Sequence, residues 1–127
     1  PYTDADLNYN DNNSRTTIEM NDPNARPAIS GSVENMEQYD IIFVGYPIWW
    51  GEAPRIVSTF MESYDFSGKT IVPFCTSGGS AFSDAIDEIK NMEPDATILD
   101  GLHIGSSSVT DAESRVREWV QELGLSK

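Results

Sequence analysis

Cysteine is nearly absent from this chain of 127 residues, which has one, Cys75. That excludes an internal disulfide. With a single histidine, His103, it also leaves too few soft ligands for a zinc site. Cys75 closes an apolar segment, which predicts a buried thiol. A catalytic cysteine would want a histidine partner, and His103 lies in a different apolar segment, so a serine or cysteine hydrolase has little support. Positive charge is also scarce. Eight Lys and Arg stand against 21 Asp and Glu, a net charge of −13 with a pI near 4.1. Nucleic acid would be repelled, whereas a basic partner surface would be attracted. No apolar run approaches the ~20 residues of a membrane span. The polar opening PYTDADLNYND carries no secretory signal, so the expectation is a cytoplasmic protein. Hydrophobic residues make up 39%, below the roughly 45–50% usual for globular chains, and most of the deficit falls in residues 1–38. The length suits a single domain over 1–127.

Residues 1–38 are rich in Asp, Asn, Pro and Thr, with turn-forming clusters at Asn8–Asn13 and Asp22–Asn24. The expectation is a polar wrapping segment with one short helix over Ser14–Met20, capped by Ser14. From Tyr39 the texture changes. Ile41, Ile42, Phe43 and Val44 run without alternation, as in a parallel strand buried on both faces. Pro54–Tyr64 reads as a helix with Pro54 in its first turn and Ile56, Val57, Phe60, Met61 and Tyr64 on one face. Lys69–Cys75 is the next strand, with an irregularity expected at Pro73. A helix capped by Ser80 follows to about Asn91, with Phe82, Ala85, Ile86 and Ile89 on one face. Two short strands, Ala96–Leu99 and Leu102–Ile104, are broken at Asp100-Gly101. Thr110-Asp111-Ala112-Glu113 has the form of a capping box for a last helix. That helix would turn Val116, Trp119, Val120 and Leu123 inward and end at Gly124. This order of strands and helices predicts a doubly wound α/β sheet with right-handed crossovers.

Two loops follow strands directly, and open α/β sheets bind ligands beyond the carboxyl ends of their strands. Tyr46-Pro47-Ile48-Trp49-Trp50-Gly51 joins a rigid proline and two flat rings to a permissive glycine. An indole can stack on a planar ligand. The plainer alternative has one Trp in the core and the other at an interface. Thr76-Ser77-Gly78-Gly79-Ser80 offers hydroxyls and close backbone approach at a helix start, either as an anion nest or as an ordinary strand-to-helix turn. It is neither a nucleophile elbow nor a Walker loop.

With these motifs the chain resembles the flavodoxin-like proteins, specifically short bacterial flavodoxins. The residues that carry the resemblance are Gly45–Gly51 (GYPIWWG), Ala53-Pro54-Arg55, Phe66–Thr70 (FSGKT) and Pro73–Gly79 (PFCTSGG), with DADLNYND and NDPNARP nearer the start. The resemblance implies a three-layer α/β/α flavodoxin-like fold and FMN as cofactor. Pro47, Ile48, Trp49, Trp50 and Gly51 would pack along the isoalloxazine ring. Thr76, Ser77, Gly78 and Gly79 would line its pyrimidine side. The activity implied is one- or two-electron transfer, as a carrier or as an FMN-dependent oxidoreductase such as a quinone reductase, with a basic redox partner or a small-molecule acceptor. The flavin would do the chemistry while the protein tunes it. Glu52 is the nearest carboxylate that could lower its potential.

One part of the family pattern has no counterpart. Flavodoxins open with a strand and an S-x-T-G-x-T loop that grips the FMN phosphate, and nothing before Tyr39 resembles it. The expectation is an N-terminally truncated version of the fold in which the sheet order 2-1-3-4-5 loses its centre and phosphate affinity falls. Tyr39–Tyr46 would become an exposed edge, inviting a homodimer by strand addition or exchange. The alternative function is a non-catalytic interaction module on the same scaffold.

Overall fold

The computed structural model describes residues 2–78 and 83–124. Its centre is a parallel sheet. β1 (Ile41–Pro47) pairs with β2 (Thr70–Ser77) in register from Ile41↔Thr70 to Pro47↔Thr76. On the other side of β2 lie β3 (Thr97–Ile98) and β4 (Leu102–Gly105), which together form one interrupted strand. The helices in chain order are α1 (Arg15–Asn21), α2 (Arg55–Ser63), α3 (Ser83–Met92) and α4 (Glu113–Glu122). The predicted doubly wound α/β order is therefore present, and Pro73 does not break the β1–β2 register.

The sheet has one sealed face. Val44 and Tyr46 of β1, Ile71 and Cys75 of β2, Val57 and Met61 of α2, and Ala85 and Ile89 of α3 form a continuous buried cluster with Phe66 beneath α2. Ile56 and Phe60, expected on the inner face of α2, are half-buried. The expected Phe82 contact and the Ser80 cap lie outside the described residues.

Among the described residues, α4 is the α-helix on the opposite face, which gives the three layers. Trp119 meets Phe43 edge-on, with centroids 6.1 Å apart, and reaches Phe74 at 6.4 Å. This face is not sealed. Phe43, Phe74, Val109, Val116 and Val120 are exposed. Two expectations are corrected here. β1 is not buried on both faces, because its burial alternates: Val44 and Tyr46 are in, Phe43 and Gly45 are out. α4 buries none of its residues, because its apolar stripe has only this half-covered face to rest on. Gly45 lets a ring pack flat on the strand. The Phe74 ring lies across it, and a Cβ at Gly45 would come within 2.3 Å of that ring.

The capping box at Thr110 does not form. A 3-10 helix, Ser106–Asp111, occupies that stretch, and α4 starts after Ala112 with no side-chain cap. A continuous 3-10 turn uses the backbone that an extended Thr cap would need. Gly124 follows α4 at φ 65, as its position suggests.

Residues 2–38 wrap the sealed side, held by long-range bonds to α2 and to the segment between α2 and β2. The Arg55 guanidinium donates to the carbonyls of Glu19, Met20 and Asp22 at 2.8–3.3 Å. It thereby satisfies carbonyls at the end of α1 that have no partner within the helix. Arg26 forks onto Glu62 at 2.9 and 3.0 Å. Tyr64 accepts from the Val33 N–H at 2.8 Å. Buried Lys69 donates to the Met36 and Tyr39 carbonyls. The turn clusters behave as their chemistry predicts, with Asn8, Asp11 and Asp22 each accepting from a backbone N–H two residues on. Ser14 precedes α1 but makes no cap bond; its hydroxyl pairs with Thr17 instead, at 2.9 Å.

Candidate functional site

Both marked loops lie at the carboxyl end of the sheet. β1 ends at Pro47 and β2 at Ser77, and the two exits are joined by a hydrogen bond from Ile48 N–H to the Thr76 carbonyl, 3.1 Å. Parallel pairing of adjacent strands brings the two loops side by side.

After Ile48 the chain turns back on itself. Trp49 and Glu52 exchange backbone hydrogen bonds at 2.8 and 3.0 Å. Between them Trp50 (φ 51) and Gly51 (φ 78) are both left-handed. Two successive left-handed residues are the signature of a type I′ turn, in which Gly is at ease and a bulky residue is strained. Trp50 is thus held at a loop tip, 38% exposed. Ile48 packs against the core, Trp49 is half-buried and Pro47 is exposed.

The two indoles are engaged by the N-terminal segment. Tyr9 stacks on Trp50 with centroids 4.1 Å apart and planes 9° from parallel. Tyr2 meets Trp49 edge-on at 5.4 Å. Tyr2 is itself pinned: its hydroxyl bonds the Glu19 carboxylate, and the Arg15 guanidinium lies over its ring at 4.1 Å. Burial and the Glu19 bond push the Tyr2 phenol well above its ordinary value. Neither tyrosine was marked by the sequence pattern, since contacts across forty residues leave no local signal. Glu52, expected to act on a ligand's potential, is paired with the Arg55 guanidinium at 3.0 Å, which offsets its charge.

In the second loop Thr76 and Gly78 are exposed, and open space surrounds the position of a Cβ on Gly78. Gly79 lies outside the described residues. Ser77 is buried, and its hydroxyl meets His103 Nε2 at 2.6 Å. The sequence suggested no such pairing. Cys75 is buried, as expected, and burial pushes its thiol up to about 11. It is not a nucleophile at neutral pH. Tyr46 is buried beside it, and no hydrogen-bond partner reaches its hydroxyl among the described residues. Burial raises that phenol as well. No group of three metal-binding side chains occurs among the described residues, and none of their helices is long and apolar enough to cross a membrane.

A parallel α/β sheet with an aromatic loop and a hydroxyl–glycine loop at its carboxyl edge defines a doubly wound protein of the flavodoxin-like class. The flavodoxin family model matches residues 1–123, and the chain belongs to that family. Among solved structures it is similar to a candidate flavoprotein of Bacteroides eggerthii, with 42% identity and a TM-score of 0.85 over 99% of this chain and 77% of that one. A candidate flavoprotein of Bacteroides uniformis is similar at 41% identity and a TM-score of 0.85, over 94% and 74%. A flavoprotein of Lactobacillus acidophilus, solved in complex with FMN, shares the fold at 20% identity and a TM-score of 0.53, over 67% and 56%. No curated protein matches the chain.

Proposed function

We propose that the chain serves flavin-based electron transfer, with FMN as the cofactor and the two loops as the ring half of its site. The observation that carries this is the junction of the loops: the Trp49-Trp50-Gly51 turn and Thr76-Ser77-Gly78 emerge from adjacent strands tied by the Ile48–Thr76 bond. The donor set fits a flavin ring. Trp50 offers a partly exposed indole for stacking, and Thr76 and the backbone at Gly78 offer hydrogen-bonding groups for a polar edge. FMN, when bound, supplies one- or two-electron chemistry; the chain's part is to stack, orient and exclude water. Neither loop contains a lysine or arginine, so phosphate has no cation to meet there, and the ring carries the affinity. The net charge of −13 favours a redox partner with a basic surface. Whether electrons pass to a protein or to a quinone turns on groups beyond these loops. FMN titration followed by flavin fluorescence and visible absorbance tests the proposal. Saturable quenching supports it, and the absence of both a yellow chromophore and saturable binding overturns it.

A second reading has its own observation. β1 pairs only with β2 among the described residues, and the neighbouring sheet face is open and apolar. A cavity of about 620 Å³ lies there between Phe43, Phe74, Leu102, Val116 and Trp119. A strand edge beside such a surface suits an interaction module that pairs with a second copy. Sedimentation across a hundredfold concentration range decides the matter: a dimer favours this reading, and a flavin-binding monomer rules it out.

A further inference from the structure

The tryptophan turn is closed into a circuit by contacts far apart in sequence. From Trp50 the chain runs through Gly51–Pro54 to Arg55, the first residue of α2. The Arg55 guanidinium holds the carbonyls of Glu19, Met20 and Asp22 at the end of α1. The start of α1 is tied back to the wrapping segment, since the Thr16 N–H donates to the Asp6 carbonyl at 3.1 Å. From Asp6 a run of turns leads to Tyr9. The Leu7, Asn8 and Asp11 N–H groups donate to the Thr3, Ala5 and Asn8 carbonyls at 3.1–3.3 Å, and the Asn10 N–H donates to the Asn8 side chain. Tyr9 then lies parallel to Trp50, 4.1 Å away, and completes the circuit. Tyr9 is therefore not the end of a loose arm. It rides on hydrogen-bonded turns anchored through α1 to a buried arginine.

That support has a use. Trp50 stands at a loop tip with φ 51, and an indole there without a neighbour would turn between rotamers. A flat ligand stacking on it would have to fix it in one, and that ordering weakens binding. Tyr9 has already fixed it. A parallel stack covers one face of an indole and leaves its other face and edges. With Tyr9 in place, Trp50 is still partly exposed.

We infer that Tyr9 is a positioning residue for the flavin ring, acting through Trp50: it backs one face of the indole and presents the other, already oriented, for stacking. This rests on the flavin proposal above. Tyr9 needs no contact with the ligand, and its hydroxyl plays no part. If Tyr9 instead occupied the ligand's own place and had to leave, removing its ring would strengthen binding.

The test is titration of lumiflavin, the flavin ring without its phosphate tail, by fluorescence quenching with wild type and Tyr9 variants. Tyr9→Ala weakens binding by roughly three- to tenfold, the scale of one aromatic stack. Tyr9→Leu, which gives apolar cover without a flat face, falls between, and Tyr9→Phe binds as wild type does. In a Trp50→Ala background, Tyr9→Ala causes no further loss, because Tyr9 acts only through the indole. A second readout needs no ligand. The chain has three tryptophans, so fluorotryptophan labelling gives three fluorine resonances, and that of Trp50 is the one lost in Trp50→Phe. Tyr9→Ala shifts and broadens it, whereas Tyr9→Phe leaves it near its place. Lumiflavin binding that is unchanged or tighter in Tyr9→Ala, a loss in Tyr9→Phe equal to that in Tyr9→Ala, or losses that add in the double variant overturns the inference while leaving the flavin proposal intact. No quenching by lumiflavin with wild type overturns both.

Discussion

Trp50 is held in a backbone conformation that bulky residues resist, at a cost on the order of 1–2 kcal/mol. Stacking by Tyr9 offsets part of that cost. A flat ligand that stacks on Trp50 must therefore use the opposite face of the indole or displace Tyr9. Tyr9→Ala is expected to lower stability by about 1 kcal/mol and to alter the near-ultraviolet circular dichroism of the tryptophans, while Tyr9→Phe preserves both. Equal spectra for Tyr9→Ala and wild type would show that the stack is not populated in solution. Tyr46 allows a second prediction. Its buried hydroxyl lacks a partner among the described residues, so it contributes desolvation without a bond. Tyr46→Phe should leave stability unchanged or raise it by up to about 1 kcal/mol, as read by urea denaturation; a clear loss would reveal a bridging water.

At the scale of elements, sequence legibility followed the range of the signal. β1 and β2 were visible because apolar runs are bounded by Gly and Pro punctuation. The Asx turns of the N-terminal segment were visible because Asn and Asp act on their own backbone. The capping box at Thr110 failed because a competing 3-10 turn also uses local bonds, which a four-residue pattern does not weigh. The Ser77–His103 pair was invisible because it depends on a one-residue register shift, and nothing in Leu99–Gly101 declares which strand offset will win. Arg55 could be read only as part of a helix start. In the structure it is the clamp between α1, Glu52 and Glu88. Arg55→Ala should cost about 3 kcal/mol, since it leaves buried carbonyls and the half-buried Glu88 unpaired. Limited proteolysis checks the location of the damage, with new cleavage expected near Asp22–Arg26. A variant as stable and as protease-resistant as wild type would remove Arg55 from this role.

At the scale of the whole molecule, the asymmetry of the sheet dominates. One face is sealed by α2, α3 and the wrapping segment, and the other is half-covered by α4. The similar Bacteroides structures are longer, with this chain spanning about three quarters of each. The sealed face also sets an alkaline limit on stability. Burial raises Cys75 from its ordinary 9.0 to about 11 and raises the Tyr2 and Tyr46 phenols. Each group ionises first in the unfolded chain, which then binds fewer protons than the native state, so stability falls with rising pH. The contribution of Cys75 is complete below pH 9 and is lost as pH climbs toward 11. Between pH 8 and pH 10.5, urea denaturation should show a loss of about 2 kcal/mol from Cys75 alone, to which the two phenols add in the same direction, and Cys75→Ala should reduce the difference. Equal stability at the two pH values would mean that the thiol is not buried in solution.

The ring half of a flavin site is the central claim, and parallel titrations of the chain with lumiflavin and FMN test it most directly. The account predicts saturable quenching by both, with similar affinities because the two loops hold the ring and offer the phosphate no cation. Failure of lumiflavin to bind would contradict it, whether or not FMN binds.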